Sequence, residues 1–222
     1  MSLVAAANNQ LRRVLRPLVH SFRDIKRVTQ VDEDIKRVLP KLYEYKFSEK
    51  DIAIDLGANR GDFSVWISNK ECFVIGFEPH PEAFEYFSKR VGSNKRILRI
   101  QASISNQSRI GQVYVHPDAQ QDQLGFSIRS SIKPEKEGFI PYSPTYSLDF
   151  LHLVNAIDDI TVLKVDIEGS EIEIWQEIKR NYKKIKFLLI EVHDAMNPKL
   201  RSEIDTFIEQ KVLFDTWTAN WV

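Results

Sequence analysis

Cysteine is nearly missing from this chain. One residue, Cys72, in 222 cannot form an internal disulfide or a multi-cysteine zinc site, so a reducing, cytoplasmic setting is expected. An excess of charge is also lacking. Thirty-one Lys plus Arg balance thirty-one Asp plus Glu, so no whole-chain field draws the protein to nucleic acid, and no nucleic-acid partner is expected. No apolar run approaches the ~20 residues needed to span a bilayer. Arg12, Arg13 and Arg16 interrupt the segment where a signal peptide needs an unbroken apolar core. Repeats, heptads and low-complexity tracts are absent as well. What is present, 43% hydrophobic and 28% charged residues, suits one globular domain with a core of its own. No feature specifies an oligomeric state.

The first 46 residues read as a helical extension. Leu11, Val14, Leu15, Leu18, Phe22, Ile25 and Val28 recur at helical spacing opposite Arg12, Arg13, Arg16, Arg23, Lys26 and Arg27. Pro17 breaks or kinks that pattern, and a second helical pattern follows around Ile35, Val38 and Leu39. Such a basic amphipathic segment either caps the core with its charges solvated or contacts a membrane surface or partner.

From residue 47 to 222 short apolar runs alternate with helical stretches, the pattern of a doubly wound, mostly parallel α/β sheet. Strands are expected at 51–56, 72–77, 97–102, 161–166, 186–192 and 212–218, with helices at 63–69, 81–91, 147–155, 171–179 and 199–210. The first three strands should be neighbours by right-handed crossovers. An insertion at about 105–146, rich in Gly, Pro, Ser and Gln, reads as loops and short strands. Within it 112–116 alternates like an edge strand, with 126–132 as its expected partner, and the whole is placed over a substrate site.

Three clusters carry chemistry. The first, Asp55-Leu-Gly-Ala-Asn-Arg-Gly-Asp-Phe-Ser64, is a glycine turn leading from the first strand into a helix, at the sheet edge where such folds bind ligands. Gly57 and Gly61 let backbone approach a ligand closely. Glu78 ends the second strand 21 residues past Gly57, near the offset at which a carboxylate takes ribose hydroxyls. Asn59 stands where a dinucleotide fingerprint has its second glycine, which favours an adenosyl-methionine tail over a pyrophosphate, with Asp55 facing its ammonium.

The second cluster, Leu163-Lys-Val-Asp-Ile-Glu-Gly-Ser-Glu171, places Lys164 and Asp166 on one strand face with Asp166 at the ligand edge. Ser170 or Gly169 is expected to cap the following helix. The third, Leu189-Ile-Glu-Val-His-Asp194, puts Glu191 and His193 on one face near Asp166, an acid-base group. An unshifted imidazole titrates near pH ~6.5, so His193 can take a hydroxyl proton with Glu191 or Asp166 orienting it. The same three side chains can alternatively hold a divalent metal, the less favoured reading.

The order and separation of these motifs, together with Gly76-Phe-Glu-Pro-His-Pro81 and Tyr146-Ser-Leu-Asp149, resemble the FkbM-type methyltransferase family from about Asp51 to about Trp221. The resemblance implies a class I, Rossmann-like fold using S-adenosylmethionine, and O-methylation of a hydroxyl on a sugar or another small-molecule or glycan acceptor. It implies that Gly57, Ala58, Asn59, Gly61 and Phe63 surround the methionine part. Glu78 and Pro79 would then meet the ribose, Ala102 and Ser103 border the adenine, and Asp166 approach the methyl group. Two other readings stand beside it: a nicotinamide-dependent oxidoreductase, and a non-catalytic module on the same fold.

Overall fold

The five apolar runs between Ile52 and Ile190 are short, rich in β-branched residues and flanked by helices, so each can be buried on both faces only inside a sheet. The computed structural model describes residues 27–117, 130–132, 138–191, 202–204 and 206–207. In it β1 (Ile52–Leu56), β2 (Phe73–Phe77), β3 (Ile97–Ile100), β8 (Ile160–Val165) and β9 (Ile185–Ile190) form one sheet of order β3-β2-β1-β8-β9. Every pairing in it is parallel. All six residues of β8 are buried. The chain winds outward from β1 to β3 and then returns to the other side of β1, so the order reverses between β1 and β8. Loops part there, and a ligand crevice is expected at the carboxyl ends.

Alternation decides which side chains meet which helices. Ala53 and Val162 face a cluster built from α1 (residues 27–38), α2 (Pro40–Glu44), α3 (Asp62–Ser68) and α4 (Pro81–Val91), through Ile35, Leu39, Leu42, Phe63, Trp66 and Phe87. Ile54, Leu56, Leu163 and Val165 face the opposite cluster, where α5 (Phe150–Asn155) and α6 (Glu171–Asn181) contribute Phe150, Val154, Ile174 and Trp175. The helices before β1 therefore share the core of the sheet. The more basic part of the expected amphipathic segment, up to residue 26, lies outside the described residues. Among the described residues no helix is long and apolar enough to cross a membrane.

The described parts of the insertion form a sheet of their own. β4 (Ser103–Ser105), β5 (Arg109–Val115), β6 (Ser130–Ser131) and β7 (Ile140–Asp149) make a second sheet of order β4-β7-β5-β6. The expected edge strand at 112–116 falls in β5 up to Val115. The short β6 within 126–132 pairs with it antiparallel, but its long partner is β7. The loops and short strands expected over 105–146 thus include, among the described residues, one long strand, β7, and the helix expected from 147 is corrected to begin at Phe150. β7 runs on to Asp149, whose carboxylate then accepts the N–H of Leu151 and starts α5. The strand is hard to see because its buried positions are Thr145 and Ser147 rather than aliphatics. Their burial is made tolerable by partners such as Ser103, whose hydroxyl meets that of Ser147.

The third strand also ends earlier than expected, at Ile100. After a turn in which Ala102 N–H donates to Ile100 C=O, the chain enters the second sheet at Ser103. The expected strand at 212–218 lies outside the described residues. Residues 202–204 and 206–207 are helical as expected, with Ile204 and Phe207 packed on the α6 side.

Candidate ligand cleft

The turn after β1 is shaped by contacts that only glycine allows. Gly57 has φ +76°, and a Cβ there would lie 1.8 Å from the backbone oxygen of Asp166. The turns after β1 and β8 therefore touch backbone to backbone. The N–H groups of Gly57 and Ala58 both donate to Phe77 C=O, at 3.0 and 2.8 Å, which ties the same turn to the end of β2. Gly61, φ +77°, leads α3 and leaves room for the Phe87 ring, which a Cβ would approach to 2.2 Å.

Glu78 is bound at both oxygens. Asn59 N–H donates to Oε2 at 2.7 Å and His80 N–H to Oε1 at 2.8 Å. The side chain is nearly fully buried. Burial pushes its pKa up to about 7, against the lowering effect of the two N–H donors and of Lys164. His80, fully buried, has its pKa lowered by burial, while Glu82, 3.1 Å from its Nδ1, acts in the opposite direction.

Across the turn, Lys164 gathers three oxygens. Its Nζ lies 3.1 Å from Asp55 Oδ1, 3.0 Å from Gly57 C=O and 3.4 Å from Asp166 Oδ2. Burial alone would lower its pKa, but the adjacent Asp55 and Asp166 carboxylates hold it above the ordinary lysine range. After Asp166 the chain turns through Glu168 (φ +54°) and Gly169 (φ +100°). Glu171 Oε1 accepts the N–H groups of Ile167 and Gly169, at 3.1 and 3.2 Å, and braces this turn. Ser170 holds the N-cap position of α6 with no capping hydrogen bond from its side chain. The expected capping by the Ser170 hydroxyl is therefore corrected: it is not made, and Glu171 steadies the turn before the helix instead.

These turns border an open cleft at the carboxyl edge of the sheet, the place where such folds bind ligands. Of the residues expected from the sequence, Gly57, Asn59, Glu78, Pro79, Ala102, Ser103 and Asp166 line it. Ala58, Gly61 and Phe63 support the turn from behind, with Ala58 and Phe63 in the core. Asp55 needs correction as the partner of a ligand ammonium. It is fully buried beneath the turn, where Ser64 Oγ donates to it at 2.6 Å and Lys164 neutralises it. Glu191, half-buried, follows β9, and its N–H donates to Val165 C=O, but it does not line the cleft. His193 lies outside the described residues.

Sequence reasoning missed Ile104 and Val113, which line the cleft from the second sheet, Ile132 just after β6, and Ile167 and Glu168 beside Asp166. The alternation around Val113 and the acid two residues beyond Asp166 were the signals available. Asn59 Oδ1 is buried with no hydrogen-bond partner among the described residues. That orphaned acceptor beside Glu78 calls for a donor from a ligand.

The chain matches the family described as the methyltransferase FkbM domain over residues 55–213. It is 25% identical over 184 residues to the hexuronic acid methyltransferase AglP of Haloferax volcanii, covering 82% of this chain and 71% of that protein. Among solved structures it resembles methyltransferase FkbM from Methylobacillus flagellatus KT with a TM-score of 0.46 and 15% identity. That alignment covers 75% of this chain and 39% of the other, so this chain spans well under half the length of that protein.

Proposed function

Because the chain belongs to the FkbM methyltransferase family, we propose that it transfers the methyl group of S-adenosylmethionine to a hydroxyl oxygen of a sugar, free or within a glycan. The observation that carries this reading is the Glu78 carboxylate, buried at the end of β2 and lining a cleft that runs past Gly57 to Asp166. The residues present suit the donor. Each Glu78 oxygen takes one backbone N–H and keeps acceptor capacity for ribose hydroxyls. Asn59 Oδ1 offers a further acceptor, and Gly57 lets the turns after β1 and β8 close against each other along one side of the cleft.

Bound there, S-adenosylmethionine supplies an electrophilic methyl group on a sulfonium. The chain itself contributes orientation and dryness. Glu78 and Asn59 fix the polar end, while Ile104 and Val113 of the second sheet and Ile132 beside it give the cleft an apolar wall that excludes water. Methyl transfer depends mainly on in-line placement, worth up to ~7–11 kcal/mol in well-oriented systems. His193, assisted by Glu191 or Asp166, is our candidate to take the acceptor proton. The acceptor class is supported by the relative described as a hexuronic acid methyltransferase. The nicotinamide reading draws no support, since Asn59 occupies the position at which backbone would have to approach a pyrophosphate.

Calorimetric titration with S-adenosylhomocysteine, with NAD as control, tests the donor. Micromolar binding that disappears in Glu78→Ala supports the reading, and NAD binding alone overturns it. Methyl transfer to glucuronosides and to neutral glycosides then tests the acceptor.

A further inference from the structure

We propose that Tyr142, which belongs to the second sheet and does not line the cleft, is a positioning residue for the donor: by stacking on His80 it fixes the backbone N–H that holds Glu78. This rests on the reading of Glu78 as a donor-binding carboxylate.

The sheet register singles Tyr142 out. Val113 pairs with Ser143 and Tyr114 with Pro141, so the pairing shifts between Val113 and Tyr114 and leaves Tyr142 as the extra residue of a β-bulge. Bulges re-aim a side chain that regular alternation would send elsewhere. Here the Tyr142 ring lies over His80, with centroids 5.1 Å apart and planes 19° from parallel. Its hydroxyl donates to Glu82 Oε1, while Glu82 Oε2 lies 3.1 Å from His80 Nδ1. One carboxylate thus joins both rings.

The stack reaches the cleft through the backbone. His80 is fully buried and precedes Pro81, which confines it to extended backbone, as observed at φ −74° and ψ 122°. Pro81 restrains the residue from its C-terminal side, and the buried ring, clamped between Tyr142 and Glu82, restrains it through the side chain; without the stack, repacking of the ring is what would shift the His80 N–H. That N–H holds Glu78 Oε1 while Asn59 N–H holds Oε2. Tyr142, His80, Glu78 and Asn59 therefore form one chain of contacts from the second sheet to the turn after β1.

The test is calorimetric titration of the full chain with S-adenosylhomocysteine at a temperature well below unfolding, where lost stability alone leaves the affinity of the folded protein unchanged. Tyr142→Ala should bind about tenfold more weakly, and Tyr142→Phe, which keeps the ring stack, should stay within about threefold of the unsubstituted chain. Ile110→Ala, at an exposed position of the same sheet, should not change binding. If Tyr142→Ala does not fold, Tyr142→Leu carries the same expectation. Equal binding by the ring-less variant, or failure of Tyr142→Phe to retain affinity, overturns the inference while leaving the donor reading intact. Absence of binding by the unsubstituted chain overturns the donor reading itself.

Discussion

Lys164 and Asp55 stand opposite each other in the register of β8 and β1, and the lysine Nζ lies 3.1 Å from Asp55 Oδ1 beneath the cleft floor. The pair is almost wholly buried, with side-chain exposures of 11% and 0%. Removing one member of such a pair strands the other charge in a low-dielectric site, at a cost of about 3–5 kcal/mol. Lys164→Met should therefore destabilise the chain by that order in urea unfolding. Asp55→Asn combined with Lys164→Met removes both charges and should recover much of the loss. A double variant no more stable than Lys164→Met would show that the hydrogen bonds to Gly57 and Asp166, rather than charge balance, are what matter.

Gly57 and Gly61 share a left-handed backbone but differ in what a methyl group would meet. At Gly57 the obstacle is the Asp166 backbone, whereas at Gly61 it is the Phe87 ring. Gly57→Ala should cost at least ~2 kcal/mol and weaken S-adenosylhomocysteine binding, with no side-chain change able to relieve it. Gly61→Ala should be partly rescued by Phe87→Leu, leaving only the backbone cost of about 1 kcal/mol. Thermal unfolding of Gly57→Ala, Gly61→Ala, Phe87→Leu and the Gly61→Ala, Phe87→Leu double variant checks the contrast, with the double variant compared against Phe87→Leu.

The parts of this architecture that follow a simple period were legible in the sequence. β1 and β8 are apolar runs ending in acids, and the Lys164–Asp166 proximity follows from alternation alone. In the second sheet the β5–β6 pairing was legible too, but β7 was not, because it buries Thr145 and Ser147 and carries Pro141 and Pro144. Both features normally argue against a strand. Asp55 was placed on the correct strand but given the wrong partner. Nothing local reveals that Lys164, more than a hundred residues later, arrives in register to neutralise it. Tyr142 was invisible for a related reason, since a bulge shows only when both strands are known.

Glu171 braces the Asp166 turn through one oxygen, Oε1, which accepts both N–H groups. Glutamine retains that carbonyl oxygen, so Glu171→Gln should leave stability within about 1 kcal/mol and preserve donor binding. Glu171→Ala leaves one buried and one part-buried N–H group without their acceptor and should cost about 2 kcal/mol. Urea unfolding together with S-adenosylhomocysteine titration separates the two. An alanine variant indistinguishable from the glutamine one would show that the turn holds itself.

The raised pKa of Glu78 makes both stability and binding depend on pH, in opposite senses. Its folded value of about 7 lies above the reference 4.5, so the stability gained by keeping the carboxyl neutral is fully present below pH 4.5. That contribution is lost as the pH rises through 7. Glu78→Gln cannot ionise, so from pH 5 to pH 8 the chain should lose about 2 kcal/mol of stability relative to this variant. Ribose hydroxyls, as donors, favour the ionised form. Donor binding therefore pulls the pKa down, and S-adenosylhomocysteine should bind about tenfold more weakly at pH 6 than at pH 8. In Glu78→Gln the affinity should be lower and nearly flat across that range. An affinity that rises toward acid in the unsubstituted chain would mean that the protonated carboxyl, donating its own hydrogen bond, is the form that receives the ligand.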